Sequence, residues 1–184
     1  MTPEAVPGWS PGLAAADHDA VRLQLGREPR GVVRVAHRCP CGDPDVVETL
    51  PLLPDGTPFP TTYYVTCPRL TGRISTLEGS GLMATMTAEL ATDPVLAQAY
   101  SVAHEDYLAR RAALGDVPEI AGVSAGGMPT RVKCLHVLVG HALAAGPGVN
   151  PLGDRALAAL DADGPWWEPP CLGGPAGSGR VEKH

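Results

Sequence analysis

The side chains in this 184-residue sequence with the widest choice of chemistry are five cysteines and six histidines. Cys39 and Cys41 stand in Arg38-Cys39-Pro40-Cys41-Gly42-Asp43-Pro44, Cys67 in Thr66-Cys67-Pro68, and Cys134 in Lys133-Cys134-Leu135-His136, with His141 further along. Thiolates and imidazoles gathered from three separate segments can complete one tetrahedral zinc shell, with Zn–S bonds near about 2.3 Å. The minimal set is Cys39, Cys67, Cys134 and one of His136 and His141. On a helix, positions i and i+7 share a face while i and i+2 stand about 200° apart, so Cys134 pairs with His141. An irregular first turn would let His136 take that place. The spacing departs from the usual two Cys-x-x-Cys pairs, and three other readings stand beside zinc. Four central cysteines could ligate an iron–sulfur cluster. They could equally be small buried hydrophobes. Cys134, near a helix start beside Lys133 and Arg131, could also be a reactive thiolate with His136 or His141 as base.

A weaker signal lies upstream, where Gly126, Gly127 and Arg131 precede an apolar helical stretch. Backbone N–H groups and the macrodipole at a helix start favour an anion, although the Gly-Lys-Ser/Thr ending of a phosphate loop is missing. His104-Glu105-Asp106 with Arg110 and Arg111 reads as a solvated helix face, and His37 as a strand residue or a ligand. Cys171 falls in a Pro/Gly-rich end segment and receives no role.

These side chains need elements to position them. Val32–Ala36 is β-branched and reads as a strand, Asp45–Leu53 as a second, and Thr61–Thr66 as a third beyond the Asp55-Gly56 turn. Asp17 reads as the cap of a preceding helix that ends at Gly26. From Leu70 the period becomes helical: one helix stops near Gly79, the next at Asp93-Pro94, a third runs to Gly115, an apolar fourth follows Met128-Pro129 and runs to Ala145, and Asn150-Pro151 opens the last. The expected architecture is α+β: a single domain with a small antiparallel sheet of about three strands against four to six helices. It spans residues 16–162 between two flexible tails, 1–15 and 163–184, unless Trp166 and Trp167 dock on the domain.

Composition narrows the function. The net charge of -6 argues against nucleic-acid binding. No stretch approaches the roughly 20 apolar residues of a membrane span. The start lacks a secretory pattern, and the odd cysteine count argues against a disulfide framework, so a cytoplasmic protein is expected.

In combination, Arg38-Cys39-Pro40-Cys41-Gly42, the run Leu53 to Pro68, Ser75-Thr76-Leu77-Glu78, and Ser124 to His141 continuing into Asn150-Pro151-Leu152-Gly153-Asp154 resemble the bacterial domain of unknown function 501 family. The Ala/Gly/Pro-rich ends resemble an actinobacterial member. The resemblance covers about residues 17–160 and implies no established activity. Its genes typically neighbour those of a septum-formation initiator and an exopolyphosphatase-like enzyme, which implies a cell-division or envelope partner. It also implies ligand positions at Cys39, Cys67, Cys134, His136 and His141, with Cys41 less regular, and zinc before a cluster. The resulting expectation is an uncharacterised cytoplasmic protein with a structural or regulatory Cys/His zinc site. The alternatives are a metal- or thiol-dependent hydrolase holding an anionic substrate at Gly126, Gly127 and Arg131, or an interaction module.

Overall fold

A computed structural model describes residues 12–171. Helix α1 (Ala15–Leu25) leads to strands β1 (Val32–Arg38), β2 (Pro44–Thr49) and β3 (Tyr63–Val65). Five helices follow: α2 (Pro68–Glu78), α3 (Leu82–Thr92), α4 (Pro94–Ala112), α5 (Leu135–Ala145) and α6 (Pro151–Ala162). The strands form one antiparallel sheet in the order β1-β2-β3, so the α+β expectation holds.

Every position of β2 is buried, because the strand is central and covered on both faces. Its alternation separates two cores: Val47 joins Val21 and Val32 under α1, and Val46 joins Tyr63, Val65 and the helical layer. α5 lies on the sheet so closely that a Cβ at Gly140 would stand 3.0 Å from the Tyr63 carbonyl oxygen. On its other side, a Cβ at Gly153 of α6 would fall 2.3 Å from the Leu138 carbonyl oxygen, so only glycine allows the two helices this approach.

α4 is the post for the long segment before α5. Tyr100 Oη donates to the Arg131 carbonyl, His104 Nδ1 meets Ser124 Oγ at 2.9 Å, and Arg111 donates to the Val123 and Ile120 carbonyls. His104 and Arg111 are therefore buried, not part of a solvated face. A second correction concerns α5, which begins at Leu135 and not after Met128-Pro129. Gly126 and Gly127 have φ of 76° and 93°, and their carbonyls accept from Lys133 and Arg131, so this stretch closes on itself as a loop. Helix α1 is likewise capped by Ala14, with Asp17 inside its first turn.

Residues 163–171 lie against α2. Arg69 donates to the carbonyls of Trp166 (3.2 Å) and Glu168 (2.9 Å), and Arg73 to those of Asp163 (2.8 Å) and Gly164. Trp166 is buried and meets Trp167 edge-on with ring centroids 4.8 Å apart. Residues 1–11 and 172–184, the outer parts of the two expected tails, lie outside the described residues. Among the described residues, no helix is long and apolar enough to cross a membrane.

Candidate metal centre

In a β1-β2-β3 antiparallel sheet the first and third strands run the same way, so their C-terminal ends share one edge of the domain. Cys39 follows β1 and Cys67 follows β3. The turn between β1 and β2 is tied by Gly42 N–H to the Cys39 carbonyl (2.8 Å) and Cys39 N–H to the Asp43 carbonyl (2.9 Å). This folds Cys41 back over Cys39: their sulfurs are 2.9 Å apart, and Cys41 N–H donates to Cys39 Sγ at 3.5 Å. Cys67 is the residue before Pro68 at the N-cap of α2, where the Arg69 and Leu70 N–H groups favour its thiolate.

The strap held by Arg69 and Arg73 then delivers Cys171. Its sulfur stands 2.9 Å from Cys67 Sγ, 3.7 Å from Cys41 Sγ and 3.8 Å from Cys39 Sγ. Cys39 and Cys67 are buried, and Cys41 and Cys171 are partly so. Cys171 thus meets the other three sulfurs, and Cys39, Cys41 and Cys171 together have the geometry to hold a metal ion, with Cys67 outside that group and joined to it at Cys171.

A chemical test of fit uses the sulfur separations. Four thiolates on one zinc at about 2.3 Å form a tetrahedron whose edges are about 3.8 Å. The Cys171–Cys39 and Cys171–Cys41 separations equal that edge. The Cys39–Cys41 and Cys67–Cys171 contacts are about 0.9 Å shorter than that edge and far longer than the roughly 2.05 Å of a disulfide, and Cys67, which meets the group only at Cys171, would have to turn towards Cys39 and Cys41 to complete the shell. As bare thiols the group is unevenly poised. Burial, then the Cys41 contact, pushes Cys39 up to about 12, whereas the Cys171 hydrogen bond and the α2 N-terminus draw Cys67 down to about 7. The same bond pushes Cys171 up.

The five ligands expected from the sequence are distributed over three places. Cys39 and Cys67 are in this cluster, joined by Cys41 and by Cys171, which had no expected role. Cys134 and His136 stand with Glu78 at the start of α5, with Cys134 Sγ 3.9 Å and Glu78 Oε1 3.2 Å from His136 Nδ1. Cys134 precedes the helix with an extended backbone, so the i and i+7 relation to His141 never arises. The Cys134 contact, then the Glu78 charge, pushes His136 up to about 8, against its burial.

His141 is fully buried elsewhere, between Asp106 Oδ2 (2.8 Å from Nε2) and Asn150 Nδ2 (3.2 Å from Nδ1), and stacked on Tyr63. Burial pushes its pKa down. Burial of Asp106 opposes ionisation, but hydrogen bonds from Arg110 and His141 outweigh it and hold the carboxyl below its ordinary value. His37 pairs with buried Asp45 at 2.8 Å. Gly126, Gly127 and Arg131 do not open a helix, and the α5 N-terminus is met instead by Glu78, whose Oε1 accepts from Leu135 N–H at 2.6 Å. The signal that could have exposed Cys171 is the Trp166-Trp167 pair just before it, an apolar anchor inside an otherwise Pro/Gly-rich segment.

A family model described as Protein of unknown function (DUF501) matches residues 35–158. The chain belongs to that family. Its matched span contains Cys39, Cys41, Cys67, Glu78, Cys134 and His136, and ends before Cys171. Comparisons with curated proteins and with solved structures gave no match.

Proposed function

We propose that Cys39, Cys41, Cys67 and Cys171 hold one structural zinc ion that staples residues 163–171 across the ends of β1 and β3. The observation that carries this reading is the convergence of three sulfurs on Cys171 at 2.9, 3.7 and 3.8 Å, two of them at the tetrahedral edge. Thiols are weak hydrogen-bonding groups, so gathering four, two of them buried, gains little until a cation converts them to thiolates. Four thiolates close the shell and leave no position for water or substrate, the composition of a structural site rather than of a hydrolase. A single ion suits the Cys39, Cys41 and Cys171 separations, all below 4 Å, whereas an iron–sulfur cluster places iron and sulfide between the thiolates and spreads them wider.

The test is elemental analysis and an ultraviolet–visible spectrum of protein purified without added metal, repeated on Cys171→Ser and Cys67→Ser. The expected result is a colourless protein that loses one equivalent of zinc in either variant. A brown chromophore, unchanged zinc in both variants, or a zinc-free protein with a Cys67–Cys171 disulfide by mass spectrometry overturns it.

A further inference from the structure

A second convergence of donors lies at the junction of α2 and α5, away from the four thiols. His136 Nε2 stands 3.3 Å from the Thr71 carbonyl oxygen, which can only accept, so Nε2 carries a proton and Nδ1 is the ring atom turned towards Glu78 and Cys134. Nδ1 faces Glu78 Oε1 at 3.2 Å and Cys134 Sγ at 3.9 Å, and all three atoms lie within 4.8 Å of one another. A carboxylate and a thiol facing one ring nitrogen call for a positive charge between them, which a proton on Nδ1 supplies and a metal ion bonded to the same three atoms can replace. On one tetrahedral ion with bonds of about 2.0–2.3 Å, nitrogen and oxygen ligands stand about 3.3 Å apart and sulfur and nitrogen about 3.6 Å, close to what is observed.

The surroundings match what a metal site requires beyond its ligands. A ligating histidine ordinarily donates its other ring N–H to a carbonyl or carboxylate, as His136 does to Thr71, and ligating carboxylates are themselves held by hydrogen bonds, as Leu135 N–H holds Glu78. His136 and Glu78 are 26% and 23% exposed, so an ion can enter from solvent. Cys134 and His136 also line a cavity of about 270 Å³ with Thr61, Tyr64 and Val65.

We infer that Glu78, Cys134 and His136 form a second, open site for a divalent ion of the zinc class. Three protein ligands fill three positions, and the fourth, facing the cavity, takes water or an oxygen of a small ligand. Three ligands plus one exchangeable position is the composition of sites at which zinc acidifies water or polarises a carbonyl. The inference does not depend on the four-thiol centre.

Two measurements test it. In the wild-type chain, alkylation of Cys134 is followed by peptide mass spectrometry with and without zinc. Saturating zinc is expected to slow it at least about tenfold, because a ligated thiolate is no longer free to react. Unchanged alkylation at saturating zinc overturns the inference. In a Cys39→Ser/Cys171→Ser background, which removes the first centre, one zinc is expected to remain and to be lost on adding Cys134→Ser or Glu78→Gln. Absence of zinc from that folded background, or zinc indifferent to both additions, also overturns it. If the background variant does not fold, the wild-type measurement decides alone. Failure of the four-thiol reading appears separately, as zinc that Cys171→Ser leaves unchanged.

Discussion

His141 and the four-thiol cluster both bury polar chemistry, and they do it in opposite ways. Around His141 each polar atom has a dedicated partner: Nε2–H donates to Asp106, Nδ1 accepts from Asn150, and the ring lies 5.8 Å from Tyr63 in a parallel stack and 5.2 Å from Tyr107 edge-on. Asn150 in turn caps α6 through Gly153 N–H at 2.9 Å. The ring can accept nothing more. In the cluster, the sulfurs face chiefly one another, with a backbone N–H on Cys39, those of Arg69 and Leu70 at Cys67, and the Asp43 carboxylate 3.8 Å from Cys41. A buried group whose bonds are all made is part of the framework, whereas soft donors that converge with their capacity unspent are a ligand set. Glu78, Cys134 and His136 stand between the two cases, since Leu135 N–H and the Thr71 carbonyl orient Glu78 and His136 while His136 Nδ1 faces both Glu78 Oε1 and Cys134 Sγ.

The sharpest way to break this contrast is to remove Cys171. Losing a structural metal belongs to the small class of changes that cost about 4–5 kcal/mol or more. The melting temperature of Cys171→Ser is expected to fall on the order of 10 °C, and residues 163–171 to become susceptible to protease. Chelation should bring the wild type down to the variant. If the two differ as much after chelation as before, the stability difference does not come from zinc.

The converse experiment is His141→Leu. It leaves Asn150 short of a partner inside the core and removes one of two donors from the partly exposed Asp106 carboxylate, and a cost of about 2–3 kcal/mol is expected, insensitive to chelation and without loss of zinc. The wild type carries a pH signature that the variant lacks. Burial lowers the folded-state pKa of His141, so below the ordinary value near 6.5 the unfolded chain takes up a proton that the folded chain refuses. Stability conferred by the neutral ring is therefore complete above that pH and declines as pH falls towards the folded pKa, by up to about 1.4 kcal/mol per pH unit. Denaturant titrations from pH 7.5 to 5 should show this decline in the wild type and a shallower one in His141→Leu. Equal slopes would contradict the assignment of a neutral, fully bonded ring.

Much of this contrast was hidden from the sequence for a physical reason. Local chemistry was readable: Asp93-Pro94 and Asn150-Pro151 announce helix starts, and both side chains do cap, Asp93 accepting from Val95 and Leu96 and Asn150 from Gly153. The β-branched run after Gly31 and the Asp55-Gly56 turn likewise marked strands and their reversal. What spacing cannot convey is who meets whom across the fold. Cys67 and Cys171 are joined only because Arg69 and Arg73, one turn apart on α2, hold the carbonyls of the returning strap. Cys134 does stand at the start of its helix, but its pairing with His141 failed because an apolar run continuous with its neighbours hid the loop that the positive φ of Gly126 and Gly127 imposes, and His136 is the histidine it meets. His141 drew attention by its type, although its partners Asp106 and Asn150 lie on other elements.

A smaller effect sharpens the framework side. Gly153→Ala places a methyl group where α6 touches the Leu138 carbonyl, and the helices must separate. Overpacking of this kind costs about 1–3 kcal/mol. Because Asn150 reaches His141 from the first turn of the same helix, the substitution should also blunt the His141-dependent pH slope while leaving zinc content intact. A destabilised variant with an unaltered slope would mean that the His141 network is held independently of the α5–α6 contact.

The smallest expected effect belongs to Asp17, which receives two hydrogen bonds from Arg38 at 2.8 and 2.7 Å. Arg38 immediately precedes Cys39 and also reaches the Gly42 carbonyl at 3.3 Å, so the pair anchors the Cys39–Cys41 turn to α1. Arg38 is half exposed, and such pairs contribute only about 0.2–1 kcal/mol. Asp17→Asn should therefore barely move the melting temperature, yet it loosens the turn that presents two of the four thiols. The expected result is a loss of zinc affinity of about two- to fivefold, the equivalent of that energy, vanishing near 1 M salt where the Debye length shrinks to about 3 Å. The His141 pH slope should not respond at all. Were Asp17→Asn to change that slope and leave zinc affinity alone, the turn would not be the element that positions Cys39 and Cys41, and the separation between a framework histidine and a ligand cluster would have to be drawn elsewhere.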